Sequence, residues 1–234
     1  MRAVILQPMY LPWIGYFNLI DQSDVFVFLD DVQFSVQSWQ QRNKIKTSQG
    51  WLWLTVPILR EFGSKIKEIK VNNNINWSKK HWASVRQNYS KAPYFKEYSK
   101  PFEEIYSQEW EYLADLDITL IKVITTTLGL KTEFVLSSEL AVEGEKTERV
   151  INILEKLGAS EYISGPAAKS YIEVEKFTEA GITLYWHEYE HPVYPQLYGE
   201  FIPYLSVIDL LFNCGPESKR YIRKGGENAL KKAN

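Results

Sequence analysis

The sequence has a single cysteine, Cys214, among 234 residues. No internal disulfide can form, which excludes a disulfide-stapled secreted fold and points to a reducing compartment. The apolar setting of that cysteine, "LLFNCG", predicts a buried packing thiol rather than a nucleophile. Neither sign of charge is in excess, with 27 Lys and Arg against 29 Asp and Glu. The net charge is −2, so nothing in the balance favours nucleic acid or an anionic membrane. No apolar run is long enough to span a bilayer, and "MRAVILQP" lacks the apolar stretch of a signal peptide. A cytoplasmic protein is expected. A P-loop, a G-x-G-x-x-G loop and a Ser-His-Asp pattern are all missing, which disfavours P-loop kinase and serine hydrolase chemistry.

Aromatic residues are plentiful. They make up 15% of the chain, with 8 Trp and 15 Tyr. Such side chains give large contact area at low rotamer entropy, which suits a ligand cleft, an interface or simply an aromatic-rich core.

The order of elements indicates an α/β fold. "RAVILQ" reads as a buried parallel strand, "WIGYFNLIDQSD" as a helix, and "VFVFLDD" and "GWLWLTVPI" as further apolar strands. The stretch 76–130 reads as helical, broken at Pro93 and Pro101. Strand and helix then alternate again, from "TEFVLSSEL" through "GEKTERVINILEKLGA", "SEYISG", "SYIEVEKFTEAG" and "ITLYWHEY" to the helix "YLSVIDLLFNCG". The expected architecture is a mainly parallel, Rossmann-like sheet in one domain over 1–234, with a helical insert near 76–130. The basic C-terminal stretch "KRYIRKGGENALKKAN" reads as a solvated, partly frayed tail.

Ligands of open parallel sheets bind beyond the carboxyl ends of the strands. Four polar, aromatic, proline-rich loops are expected there. In the first, "QPMYLPWIGY", Gln7 leads out of the strand and Tyr10, Trp13 and Tyr16 offer rings. Gly15 lets a ligand approach the helix N-terminus. A rigid aromatic turn is the plainer account of the same residues. The layout resembles the strand–HxGH–helix element of adenylate-forming nucleotidyltransferases, with Trp13 and Tyr16 where histidines would stand. The second loop carries Asp30, Asp31, Gln33, Trp39, Arg42, Asn43 and Lys44. Its carboxylates suit a base or an ion pair, and Arg42 suits a two-pronged grip on an anion. The third, "YISGPAAKSYI", offers backbone amides near Ser164 and Gly165, with Lys169 for charge. The fourth holds His187, His191, Tyr194 and Gln196. Pro192 and Pro195 argue against a helix that would align the histidines on zinc, so no metal site is expected; either histidine suits a general base.

Blocks in order along the chain carry a resemblance: "ILQPMYLPWIGYFNLIDQSDVFVFLDDVQF", "WQQRNKIKT", "WLTVPI", "KAPYF", "KTERVINILEKLGASEYISGPAAKSYI" and "HPVYPQLYGEFIPYLSVIDLLFNCG". Together they resemble the WbqC-like protein family. One departure lies in the second loop, where Val36 and Gln37 stand in place of the family's usual basic pair. The resemblance implies bacterial surface-polysaccharide (O-antigen) biosynthesis and transfer of glycine, or another small acyl group, to a nucleotide-linked amino sugar. The enzyme is then an aminoacyl transferase or an adenylate-forming amide ligase. Arg42 and Lys44 are the expected anion clamps and Asp30 or His191 the base. ATP with magnesium is the cofactor left open, and a nucleotide sugar the expected partner. The mild net charge speaks against a charged tRNA without excluding it. A non-catalytic nucleotide-sugar-binding or scaffold protein of the same pathway is the alternative.

Overall fold

The computed structural model describes residues 1–233. Its strands are β1 (Arg2–Leu6), β2 (Val25–Phe28), β3 (Arg42–Thr47), β4 (Gly50–Thr55), β5 (Ile58–Leu59), β6 (Lys70–Val71), β7 (Glu133–Leu136), β8 (Glu161–Ser164), β9 (Thr183–His187) and β10 (Leu230–Lys232). Its helices are α1 (Ile14–Asp21), α2 (Trp77–Tyr89), α3 (Phe95–Tyr98), α4 (Lys100–Tyr106), α5 (Leu113–Thr127), α6 (Ser137–Leu140), α7 (Lys146–Leu157), α8 (Val174–Glu179), α9 (Val207–Cys214) and α10 (Ser218–Gly226).

The main sheet has the order β10-β9-β8-β1-β2-β7. All its pairings are parallel except that of the edge strand β10 with β9. From β1 the chain builds outward through β2 and β7, then returns to the other side of β1 with β8 and β9. The strand order therefore reverses between β1 and β8. This is the mostly parallel, Rossmann-like α/β architecture expected, and the reversal marks where the ends of neighbouring strands splay apart.

Both faces of the sheet are covered, as parallel sheets require. Side chains alternate along a strand, so Ala3, Ile5, Val25 and Val27 meet α7 and α8 through Ile151, Leu154 and Phe177. Val4, Phe26 and Phe28 face the other way, into a larger cluster with α1, α5 and α9. Cys214 is buried, and burial pushes its thiol up to about 12. No helix among the described residues is long and apolar enough to cross a membrane.

Three sequence readings need correction. "GWLWLTVPI" does not join the main sheet. It forms β4, which pairs antiparallel with β3 in a separate hairpin. The run looks buried because it is apolar, yet Trp51 and Leu52 stay exposed on opposite faces. β3 itself was hidden by its polar composition, "RNKIKT". Pro101 does not break a helix but starts α4, in the first turn, where its missing N–H costs nothing. The C-terminus is not a frayed tail. α10 packs on α1, β10 extends the sheet, and Gly226 lies so close to Asn18 that an added Cβ would overlap the amide.

Candidate functional site

Three of the four loops are physically tied together. Asn43 Nδ2 donates to the Leu11 carbonyl at 2.7 Å, and the Tyr10 amide donates to the Trp39 carbonyl at 3.0 Å. The Val207 amide reaches Pro12 O, and the Ser206 amide reaches Lys44 O, each at 2.9 Å. The stiff first loop is thus pinned from two sides, which sustains the unfavourable φ of +45° at Leu11. At its end the Trp13 indole folds back over Gly15, filling the space that a side chain there would need. Trp13 also stacks on His191, with centroids 6.2 Å apart and planes within 17°.

A cavity of about 880 Å³ opens where the strand order reverses, beyond the carboxyl ends of β1 and β8. Its aromatic wall comes from Trp13, Tyr16, Tyr189 and Tyr204, and backbone at Gly165–Ala167 faces it from the β8 side. Lys224 and Lys231 supply positive charge, while Glu188, Glu190 and Glu227 supply negative charge. Neither lysine has an ion-pair partner among the described residues. Lys169 is paired with Glu188 at 2.8 Å.

His187 also lines this cavity. Its Nε2 lies 2.8 Å from Asn18 Oδ1, an oxygen that also accepts from Gln22 Nε2. The Asn18 amide nitrogen donates to Ile222 O, so this oxygen is the acceptor and His187 carries its proton on Nε2. Burial pushes His187 down to about 4, so the ring is neutral at pH 7 with its lone pair on Nδ1.

Of the residues singled out in the sequence, Trp13, Tyr16 and Gly165 line the cavity. Trp39 joins Met9, Trp13 and Tyr204 around a smaller, mostly apolar pocket of about 250 Å³ beside it. His191 stands behind Trp13, its Nδ1 held 3.0 Å from Pro192 O and its Nε2 buried without a partner. Burial lowers its pKa.

The remaining residues lie elsewhere. Asp30 is buried, and its carboxylate accepts from the Ser138 amide at 3.0 Å and hydroxyl at 2.7 Å and from the Ser137 hydroxyl at 3.0 Å. It holds the start of α6. Asp31 is ion-paired with Arg149; burial alone would raise its carboxyl, but Ser137 and Arg149 hold it below the usual range. Gln33 is exposed and bridges to Lys65. Gln7 accepts from Gln40 at 2.7 Å. Tyr10 is fully buried, with its hydroxyl 2.8 Å from His81 Nδ1 and bonded to Tyr106. Ser164 is buried at the end of β8.

Tyr194 donates to Asp209 at 3.0 Å and Tyr89 does so at 2.8 Å. Burial raises Asp209 to about 6 against those bonds. Gln196 accepts from Lys46 Nζ at 2.9 Å and fastens the fourth loop to β3. Arg42 and Lys44 sit on β3, with Trp39 just before the strand and its ring beside Lys44.

Sequence reasoning missed Lys224, Lys231 and Glu190. The available signal was the basic run after Gly215, but its position in the cavity depends on how α10 docks.

The chain matches the WbqC-like protein family over residues 7–221. It is also similar to the uncharacterized protein Rv1507c of Mycobacterium tuberculosis (strain ATCC 25618 / H37Rv), with 39% identity over 226 residues, 95% of this chain and 97% of the relative. No solved structure matches. A family match across most of the chain and a relative aligned nearly end to end agree, and the chain belongs to the WbqC-like protein family.

Proposed function

We propose that the protein is a transferase or ligase of bacterial surface-polysaccharide biosynthesis, attaching glycine or another small acyl group to a nucleotide-linked amino sugar. The observation that supports this reading best is the cavity at the strand-order reversal, where two unpaired lysines stand beside an aromatic wall. Lys224 and Lys231 suit a diphosphate, and Trp13, Tyr189 and Tyr204 suit a base or sugar ring. In the reaction the sugar amine attacks the activated acyl carbon. A C–N bond forms, the bond to the leaving group breaks, and one amine proton passes to a base. His187 lines the cavity with Nδ1 unprotonated and accepts a hydrogen bond from the amine, while its low pKa makes it a weak base that passes the proton on to solvent. His191 acts behind it by holding Trp13.

Self-activation with ATP and magnesium requires a phosphate seat. The Trp13 indole packs against Gly15 at the start of α1, where such a seat would form, which favours a donor activated beforehand. The committed hydrogen bonds of Asp30 favour the second reading, a non-catalytic nucleotide-sugar-binding protein.

The test is a calorimetric titration with a uridine diphosphate amino sugar. Saturable binding that weakens at least tenfold in both Lys224→Ala and Lys231→Ala supports the cavity assignment. No binding at millimolar ligand sinks it. Glycine-dependent pyrophosphate exchange in the presence of ATP would restore self-activation. Absence of any acyl transfer despite tight sugar binding would favour the binding-protein reading.

A further inference from the structure

The β3–β4 hairpin presents a face that the cavity does not use. Period-two alternation puts Arg42 and Lys44 of β3 on the same side as Trp51 and Trp53 of β4, and Lys44 is registered directly opposite Trp53. Trp39, just before β3, completes a row, with ring centroids 5.4 Å from Trp39 to Trp53 and 5.7 Å from Trp53 to Trp51.

Lys44 Nζ sits among all three indoles, 4.6 Å from the Trp51 centroid, 5.1 Å from that of Trp53 and 6.0 Å from that of Trp39. The Arg42 guanidinium lies 4.4 Å over Trp53, and its Nε is buried with no partner among the described residues. Among the described residues no carboxylate pairs with either cation. Trp39 and Trp51 nevertheless remain 44% and 47% exposed. Exposed indoles gathered round two cations are the groups that a nucleotide contact needs.

We infer that this face binds a nucleoside phosphate, with its base on the exposed indoles of Trp39 and Trp51 and its phosphate on Lys44 and Arg42. Indoles stack on any base, and the paired cations supply the anion site. One nucleotide fits better than a nucleic-acid strand, which needs successive phosphate contacts. Lys46, the next residue along this face, has turned its ammonium to Gln196 Oε1 and Glu200 O. The pocket of Met9, Trp13, Trp39 and Tyr204 joins the face to the large cavity, so the bound nucleotide points toward the proposed acceptor. It is then the nucleotide portion of the activated acyl donor, an assignment that rests on the transferase reading; the binding itself does not. ATP, coenzyme A and the terminal adenosine of a charged tRNA all carry this unit.

The test is calorimetric titration of the whole chain with AMP. The expected result is saturable binding, at least tenfold weaker for adenosine, and at least tenfold weaker for AMP in Lys44→Met and in Trp51→Ala, with melting temperatures unchanged. Lys79→Ala, at an exposed lysine of α2 that lines neither pocket, keeps its AMP affinity. Competition by ATP, coenzyme A and a CCA-ended oligonucleotide then ranks the sources. Unchanged AMP affinity in both hairpin variants overturns the inference, as does loss of AMP binding in Lys79→Ala. If AMP behaves as expected but no nucleotide sugar binds, the cavity reading fails while the hairpin site stands.

Discussion

Asn43 donates through Nδ2 to the carbonyl of Leu11 at 2.7 Å and accepts through Oδ1 from the Lys44 amide at 2.7 Å. One buried side chain thus joins the hairpin to the strained loop between β1 and α1. Asn43→Ala leaves the Leu11 carbonyl buried and unpaired, at a cost of about 1–3 kcal/mol. Urea unfolding should show that loss, and limited proteolysis should cut first within residues 7–13.

Asp117 is fully buried on α5, and neither carboxylate oxygen has a partner among the described residues. Burial pushes its pKa well above the usual carboxylate range. The unfolded chain ionises near pH 4 while the folded chain holds the proton, so this group's contribution to stability is complete below pH 4 and is lost as pH rises. Asp117→Leu should stabilise the protein, by more at pH 8 than at pH 4. Melting curves at the two pH values check the sign; an equal or inverted gain would show that a water or an unseen donor satisfies the carboxyl.

His81 and His187 are both pushed down to about 4 by burial, against about 6.5 when unfolded. Their contribution to stability is full above pH 6.5 and drains away as pH falls toward 4, on the order of 3 kcal/mol each. Asp209, raised to about 6, acts in the opposite sense, losing its contribution as pH rises through 6. Denaturant midpoints between pH 7 and pH 5 should therefore fall less in His81→Phe than in the natural protein, and more in Asp209→Asn.

Gly225 and Gly226 let the end of α10 press on Glu190, Tyr189 and Asn18. Gly226→Ala places a methyl group inside the Asn18 amide. A cost of about 1–3 kcal/mol is expected, together with weaker nucleotide-sugar binding, because Lys224 and Lys231 flank that contact. Normal stability in this variant would mean that α10 docks differently.

Much of this architecture is written in local sequence. The apolar runs "RAVIL" and "VFVF" specify strands buried on both faces, and Gly158, at φ +70°, ends α7 where the helical pattern stops. Loops at the strand ends are legible because prolines and aromatics punctuate them. Which loops share a site is not. Tyr10, Asp30 and Tyr194 look as available for chemistry in sequence as Trp13 does, yet each is spent on a buried hydrogen bond.

Residue type announces a capacity to donate, accept or stack; only packing decides whether a ligand or the protein itself takes it up. The same holds for Lys224 and Lys231, which read as tail charges until α10 docks on α1 and β10 pairs with β9, bringing them to the cavity. Sequence alone determined the apolar strands β1, β2, β7, β8 and β9 of the main sheet, the layered α/β class and the family. The reversal of strand order between β1 and β8, the indole over Gly15 and the pairing that puts Lys44 among three tryptophans depend on contacts between distant segments, and tertiary structure alone decided them.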